Sequence, residues 1–182
     1  MSALLILLLA CAQQPQPTEC GKVSSPSPAQ TPDGAEPDFT NYGFGTVSGR
    51  VLYSPGVAAT IATSQLEVQL PGNLYSEPLE FELLVDTEGK WQSCFREDEV
   101  IAPYAFRVTN PATRQRVGRF DTPARVIIRD NRVNEKARYW ITTPDSPSTA
   151  TASTTPLNRD GTAIQVENGS ARRGWFVTVP KR

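Results

Sequence analysis

Phe44-Gly45-Thr46-Val47-Ser48-Gly49-Arg50-Val51-Leu52-Tyr53 sets Val47, Gly49, Val51 and Tyr53 at every second position, with Thr46, Ser48 and Arg50 between them. Successive side chains leave an extended backbone on opposite sides, so this alternation predicts a strand with one buried face. The pattern returns downstream. Leu66, Val68 and Leu70 stop at Pro71-Gly72-Asn73, and Leu79 to Asp86 carries Phe81, Leu83 and Val85. Lys90 to Phe95 carries Trp91, Ser93 and Phe95, and Asp86-Thr87-Glu88-Gly89 before it has the composition of a hairpin loop. Tyr104 to Thr109, Arg116 to Phe120, Arg125 to Asp130 and Arg138 to Thr143 continue the series. Short strands, frequent turn signals and no helical period predict an all-β fold, an antiparallel sandwich over residues 41–143.

Four strings in this region resemble the carboxypeptidase regulatory-like domains: Gly45 to Val51 (GTVSGRV), Leu66 to Gly72 (LEVQLPG), Val85 to Trp91 (VDTEGKW) and Pro103 to Val108 (PYAFRV). They correspond to that family's G-x-V-x-G-x-V strand, its strand ending near Gly, its D-x-x-G-x-aromatic hairpin and its Tyr-containing strand. Ala102-Pro103 stands where those domains have Gly. The resemblance covers Phe44 to Val108 and implies an Ig-like, transthyretin-like sandwich that serves as a non-catalytic accessory or interaction module. It brings no active-site residues.

Outward from the sandwich, the composition changes on both sides. Ala3 to Ala10 is the apolar run ALLILLLA, too short to span a bilayer but suited to the core of a signal peptide over residues 1–10. Leu8-Leu9-Ala10-Cys11 resembles the bacterial lipobox, which implies diacylation of Cys11 and membrane attachment through that lipid. The alternative for this run is a buried N-terminal strand. Residues 11–40 hold Pro15, Pro17, Pro26, Pro28, Pro32 and Pro37 among Gln, Ser and Thr, a composition that cannot bury enough apolar surface to order itself. At about 3.1 Å per residue such a tether holds a domain several tens of Å from the membrane. Ala12, rather than Asp, after the cysteine resembles the outer-membrane sorting pattern of Gram-negative lipoproteins. In an oxidising compartment Cys20 and Cys94 either pair, pinning tether to domain, or Cys94 is a buried strand residue.

Residues 144–160 begin with PDSPSTATASTTPL, seven Ser or Thr and three Pro in 14 residues, the composition of a second linker. Residues 161–182 then show two alternations, Ala163 to Val166 and Trp175 to Val179, around Asn168-Gly169, predicting a C-terminal β-hairpin. Two strands alone are marginal, so this hairpin docks either back on the sandwich or on the edge of another molecule.

Function classes narrow by subtraction. The 182 residues include no His, and 18 Lys and Arg face 19 Asp and Glu for a net charge of -1. The commonest general base and zinc ligand is therefore missing, and no global field draws the chain to nucleic acid. The carboxylates Asp86, Glu88, Glu97, Asp98 and Glu99 do not form a calcium loop, and no serine has an evident base. The expectation is a non-enzyme with no metal and no cofactor beyond the lipid on Cys11.

Charge is unevenly spread. Residues 65–99 hold nine acidic side chains against Lys90 and Arg96, a balance of -7. Residues 111–140 hold eight basic ones against Asp121, Asp130 and Glu135, a balance of +5. Either the two sets pair across strands, or they form separate faces open to partners. The candidate contact residues are Arg138, Tyr139 and Trp140 on the last sandwich strand, and Arg172, Arg173 and Trp175 in the C-terminal segment. The function these features point to is a lipid-anchored envelope subunit that works through protein contacts. The alternative is a glycan-binding module using Tyr139 and Trp140.

Overall fold

A computed structural model describes residues 44–89, 91–95, 97–143, 146–152, 158–160 and 163–181, the side chains of 94, 142–152 and 158–160 excepted. The described residues form eleven strands: β1 (Thr46–Tyr53), β2 (Ala59–Ala62), β3 (Leu66–Leu70), β4 (Leu79–Val85), β5 (Asp98–Thr109), β6 (Arg119–Arg129), β7 (Arg138–Thr143), β8 (Ser146–Ala152), β9 (Asn158–Asp160), β10 (Ala163–Ser170) and β11 (Gly174–Pro180). One sheet has the order β1-β4-β5-β11-β7-β8 and the other β2-β3-β6-β10-β9, every pair antiparallel. The two pack face to face, so the protein is an all-β antiparallel sandwich.

The period-two positions meet between the sheets. Phe81, Leu83, Tyr104, Phe106, Trp175 and Val177 of the first sheet face Leu66, Val68, Val126, Ile128, Ile164 and Val166 of the second. The register explains the glycine in the opening strand. A Cβ at Gly49 would lie 2.3 Å from the Ile61 side chain on β2, so only a residue without one lets β1 close against the opposite sheet. The Tyr53 hydroxyl at the end of β1 then sits 2.6 Å from the Gly72 carbonyl oxygen, tying β1 to the loop after β3.

A second apolar cluster lies on the outer face of the first sheet. Phe44, Leu84, Trp91, Phe95, Ala105, Trp140 and Phe176 form it, with Trp91 and Trp140 both stacked on Phe176. The strand expected over Lys90 to Phe95 is overturned. Trp91–Cys94 is a 3-10 helix, and its turn still delivers Trp91 and Phe95 to the same cluster; the i, i+4 spacing that suits one face of a strand suits this helical turn as well, so alternation alone does not separate the two. The Asp86 carboxylate starts the turn by accepting from the Glu88 and Trp91 N–H groups at 3.0 and 2.9 Å.

The C-terminal expectation is also corrected. β10 and β11 do not pair with each other: β10 lies between β6 and β9, and β11 between β5 and β7. β11 reads GWFVTVP and is buried on both faces from Gly174 to Val179, which is what an interior strand requires. The segment is therefore integral to both sheets rather than an appended hairpin. Residues 146–152 and 158–160, expected as linker, are strands, since Thr and Ser backbones complete a ladder as readily as apolar ones. Asn168-Gly169 lies inside β10, and the turn follows at residues 171–173.

Candidate functional site

The aromatic residues expected to contact a ligand are in the core. Tyr139 is 3% exposed, Trp140 4% and Trp175 3%, so none offers a ring face to a sugar. Trp140 donates its indole N–H to the Thr178 hydroxyl at 2.8 Å within the outer cluster. Trp175 stacks on Tyr104 in the main core. Tyr139 joins a buried polar ring with Tyr104 and Asn168, whose edges are 2.9, 3.2 and 2.7 Å. Because an amide oxygen only accepts and an amide nitrogen only donates, the bonds run in one direction. Asn168 donates to Tyr104, Tyr104 to Tyr139, and Tyr139 back to the Asn168 oxygen. Burial pushes both phenols above their usual range, and the ring bridges the two sheets. It is structural chemistry, closed to solvent.

Many of the charges are paired. Glu82, nearly buried on the outer face of the first sheet, lies directly opposite Arg50 on β1 and Arg107 on β5 and accepts from both. Burial raises its carboxyl, but these two guanidinium groups outweigh that and hold it below the usual range. Glu67 pairs with Arg129 at 2.7 Å and Glu99 with Arg132 at 3.1 Å, and these two contacts join the acidic block to the basic one. Arg132 also binds Asp130 at 2.6 Å, holding that carboxyl low against its burial. Pairing across strands thus consumes part of each block. A cleft of about 360 Å³ lies beside Arg132, lined by Glu99, Asn131, Asn134 and Val179–Lys181.

Three arginines of the basic block, Arg114, Arg116 and Arg119, lie at one end of the sandwich. The chain enters at Phe44, and the strand ends nearest to it carry the loops at 86–97 and 130–137 and the C-terminal Lys181, whose N–H binds the Glu97 carbonyl. At the opposite end lie the connections 54–58, 71–78, 110–118 and 171–173. There the Ala171 N–H donates to the Gly118 carbonyl at 3.0 Å, the Ser170 hydroxyl donates to the same oxygen at 2.9 Å, and Ser170 pairs in register with Arg119. Arg116 bridges to Thr109, and Arg114 closes a turn capped by the Asn110 side chain. The fold thereby gathers Arg114, Arg116, Arg119, Arg172 and Arg173, all exposed, on one end. Of these, Arg114, Arg116, Arg119 and Arg173 make no salt bridge among the described residues. The neighbouring acids are Glu77, which accepts from Asn110, and the exposed Asp121.

Arg172 and Arg173 are thus placed on this surface as exposed residues, while Arg138 is exposed toward the Phe44 end, opposite Thr178. Arg114, Arg116 and Arg119 were not singled out by sequence, because a gap of about fifty residues separates them from Arg172 and only the β6–β10 pairing closes it. Cys11 and Cys20 lie outside the described residues, as does the Cys94 side chain, and with them the lipidation and the disulfide. No family model matches the chain, and no curated protein matches it either.

Proposed function

We propose that the chain is an exported lipoprotein, anchored through Cys11, whose sandwich acts without catalysis as an accessory subunit of a cell-envelope assembly. The lipobox-like Leu8-Leu9-Ala10-Cys11 and the Pro-rich residues that follow supply the anchor and the tether. The observation that carries the binding role is the arginine group at the end of the sandwich opposite Phe44. Aromatic rings are packed in the cores and several carboxylates are held in ion pairs, yet these guanidinium groups remain exposed. A tethered domain whose distal end bears charge presents that end away from its attachment. Outer-membrane placement follows the Ala12 sorting resemblance.

Fractionation of cells making the wild-type chain and Cys11→Ser tests the reading. The wild type is expected in the membrane fraction and the variant in the soluble one. Equal distribution of the two contradicts lipid anchoring.

A further inference from the structure

We infer that the arginine end docks an acidic protein surface, its guanidinium groups receiving the carboxylates of several Asp or Glu side chains. This rests on the accessory-subunit reading and specifies the partner. Three features select that chemistry. First, the surface is built from separate chain segments, 114–119 and 172–173, held together by hydrogen bonds from Ala171 and Ser170 to the Gly118 carbonyl, so the backbones that carry its charges keep fixed relative positions. Planar guanidinium forks carried close together suit carboxylates, each engaged by paired N–H donors.

Second, the composition is that of a protein contact. The half-buried Tyr75 belongs to the 71–78 connection at this end, tied to β6 through the Leu74 carbonyl and the Asp121 N–H. The described lysines, Lys136 and Lys181, lie toward the Phe44 end. Arg and Tyr are enriched in protein interfaces and Lys is depleted. Third, no aromatic side chain among the described residues is fully exposed, so the surface has no stacking platform for sugar rings.

The test uses the full acylated chain in detergent and three probes: a fluorescent poly-glutamate peptide, linear polyphosphate, and vesicles of phosphatidylglycerol. Two charge reversals, Arg116→Glu with Arg119→Glu and Arg172→Glu with Arg173→Glu, are compared with Lys136→Glu plus Arg138→Glu, which changes net charge equally toward the Phe44 end. All six positions are exposed, and thermal melts verify that each variant is folded. The expected result is peptide binding that weakens with salt, falls about tenfold or more for either arginine pair, and changes less than about twofold for the third variant. Equal losses in all three variants overturn the assignment, since net charge alone then governs. Binding of polyphosphate or vesicles without the peptide replaces the carboxylate partner by a phosphate one. Loss of peptide binding with acylation intact refutes this inference alone, whereas an unacylated native chain refutes the reading beneath it.

Discussion

Replacing Tyr139 by Phe removes one oxygen from the buried ring of Tyr104, Tyr139 and Asn168. The shape of the core is nearly unchanged, because Tyr139 is 3% exposed and its ring stays in place. Two partners are orphaned: the Tyr104 O–H loses its acceptor at 2.9 Å and the Asn168 oxygen its donor at 3.2 Å. A buried unsatisfied polar group costs about 1–3 kcal/mol, so the pair predicts a loss of about 2–4 kcal/mol after partial relaxation. At about 2–4 °C per kcal/mol for a chain of this size, that lowers Tm by roughly 4–16 °C. Urea denaturation of wild type, Tyr139→Phe, Tyr104→Phe and the double variant measures the effect and its coupling. The double variant is expected to lose less than the sum of the singles, since each single already breaks the ring. A Tyr139→Phe protein within about 0.5 kcal/mol of wild type, with additive singles, refutes the one-directional ring.

Other perturbations probe separate parts of the fold. Gly49→Ala drives a methyl into the Ile61 Cγ2 and is expected to destabilise by about 1–3 kcal/mol in urea melts, and the same change is expected to cost less in an Ile61→Ala background, which lacks that carbon. Ala102 has a φ of 46° at a bulge in β5, so Ala102→Gly is expected to stabilise by on the order of 1 kcal/mol. Deleting residues 144–182 removes a central strand from each sheet and is expected to abolish the cooperative melt; a folded truncation contradicts the observed strand order. The lowered carboxyls of Glu67, Glu82 and Asp130 contribute stability that is present above their unfolded values of about 4–4.5 and lost as pH falls through the folded ones. Tm is therefore expected to drop with acidification below that range, and Glu82→Gln to flatten the profile.

Alternation located most of the sandwich. β3 and β7 occupy the residues expected of them, β1 and β4 lie within expected runs, β5, β10 and β11 contain expected runs, and β6 is one strand where two, over 116–120 and 125–130, are expected from the alternation. Alternation failed where another constraint ruled. β2 has Ile61 as its only large apolar side chain, and 59–62 therefore leaves no periodic signal. Trp91 and Phe95 imitate a strand face, yet a helical turn carries both to the outer cluster. Asn168-Gly169 has the composition of a tight turn, but the buried amide of Asn168 is committed to two tyrosines and stays in a strand.

The site was less legible than the fold, for a related reason. Tyr139, Trp140 and Trp175 look like contact residues when solvent is assumed on one face, whereas the outer cluster and the central position of β11 bury both faces of this region. Arg172 and Arg173 stood out as a local pair. Their companions Arg116 and Arg119 belong to a distant segment, and sequence order says nothing about the bond from Ala171 to Gly118 that unites them.

The proposed lipid anchoring through Cys11 underlies the placement of the arginine end away from the membrane, and the intact mass of the protein extracted from its native membrane tests that anchoring most directly. A mass beginning at Cys11 and increased by acyl chains is the predicted result. A soluble, unacylated chain that retains residues 1–10 contradicts the account.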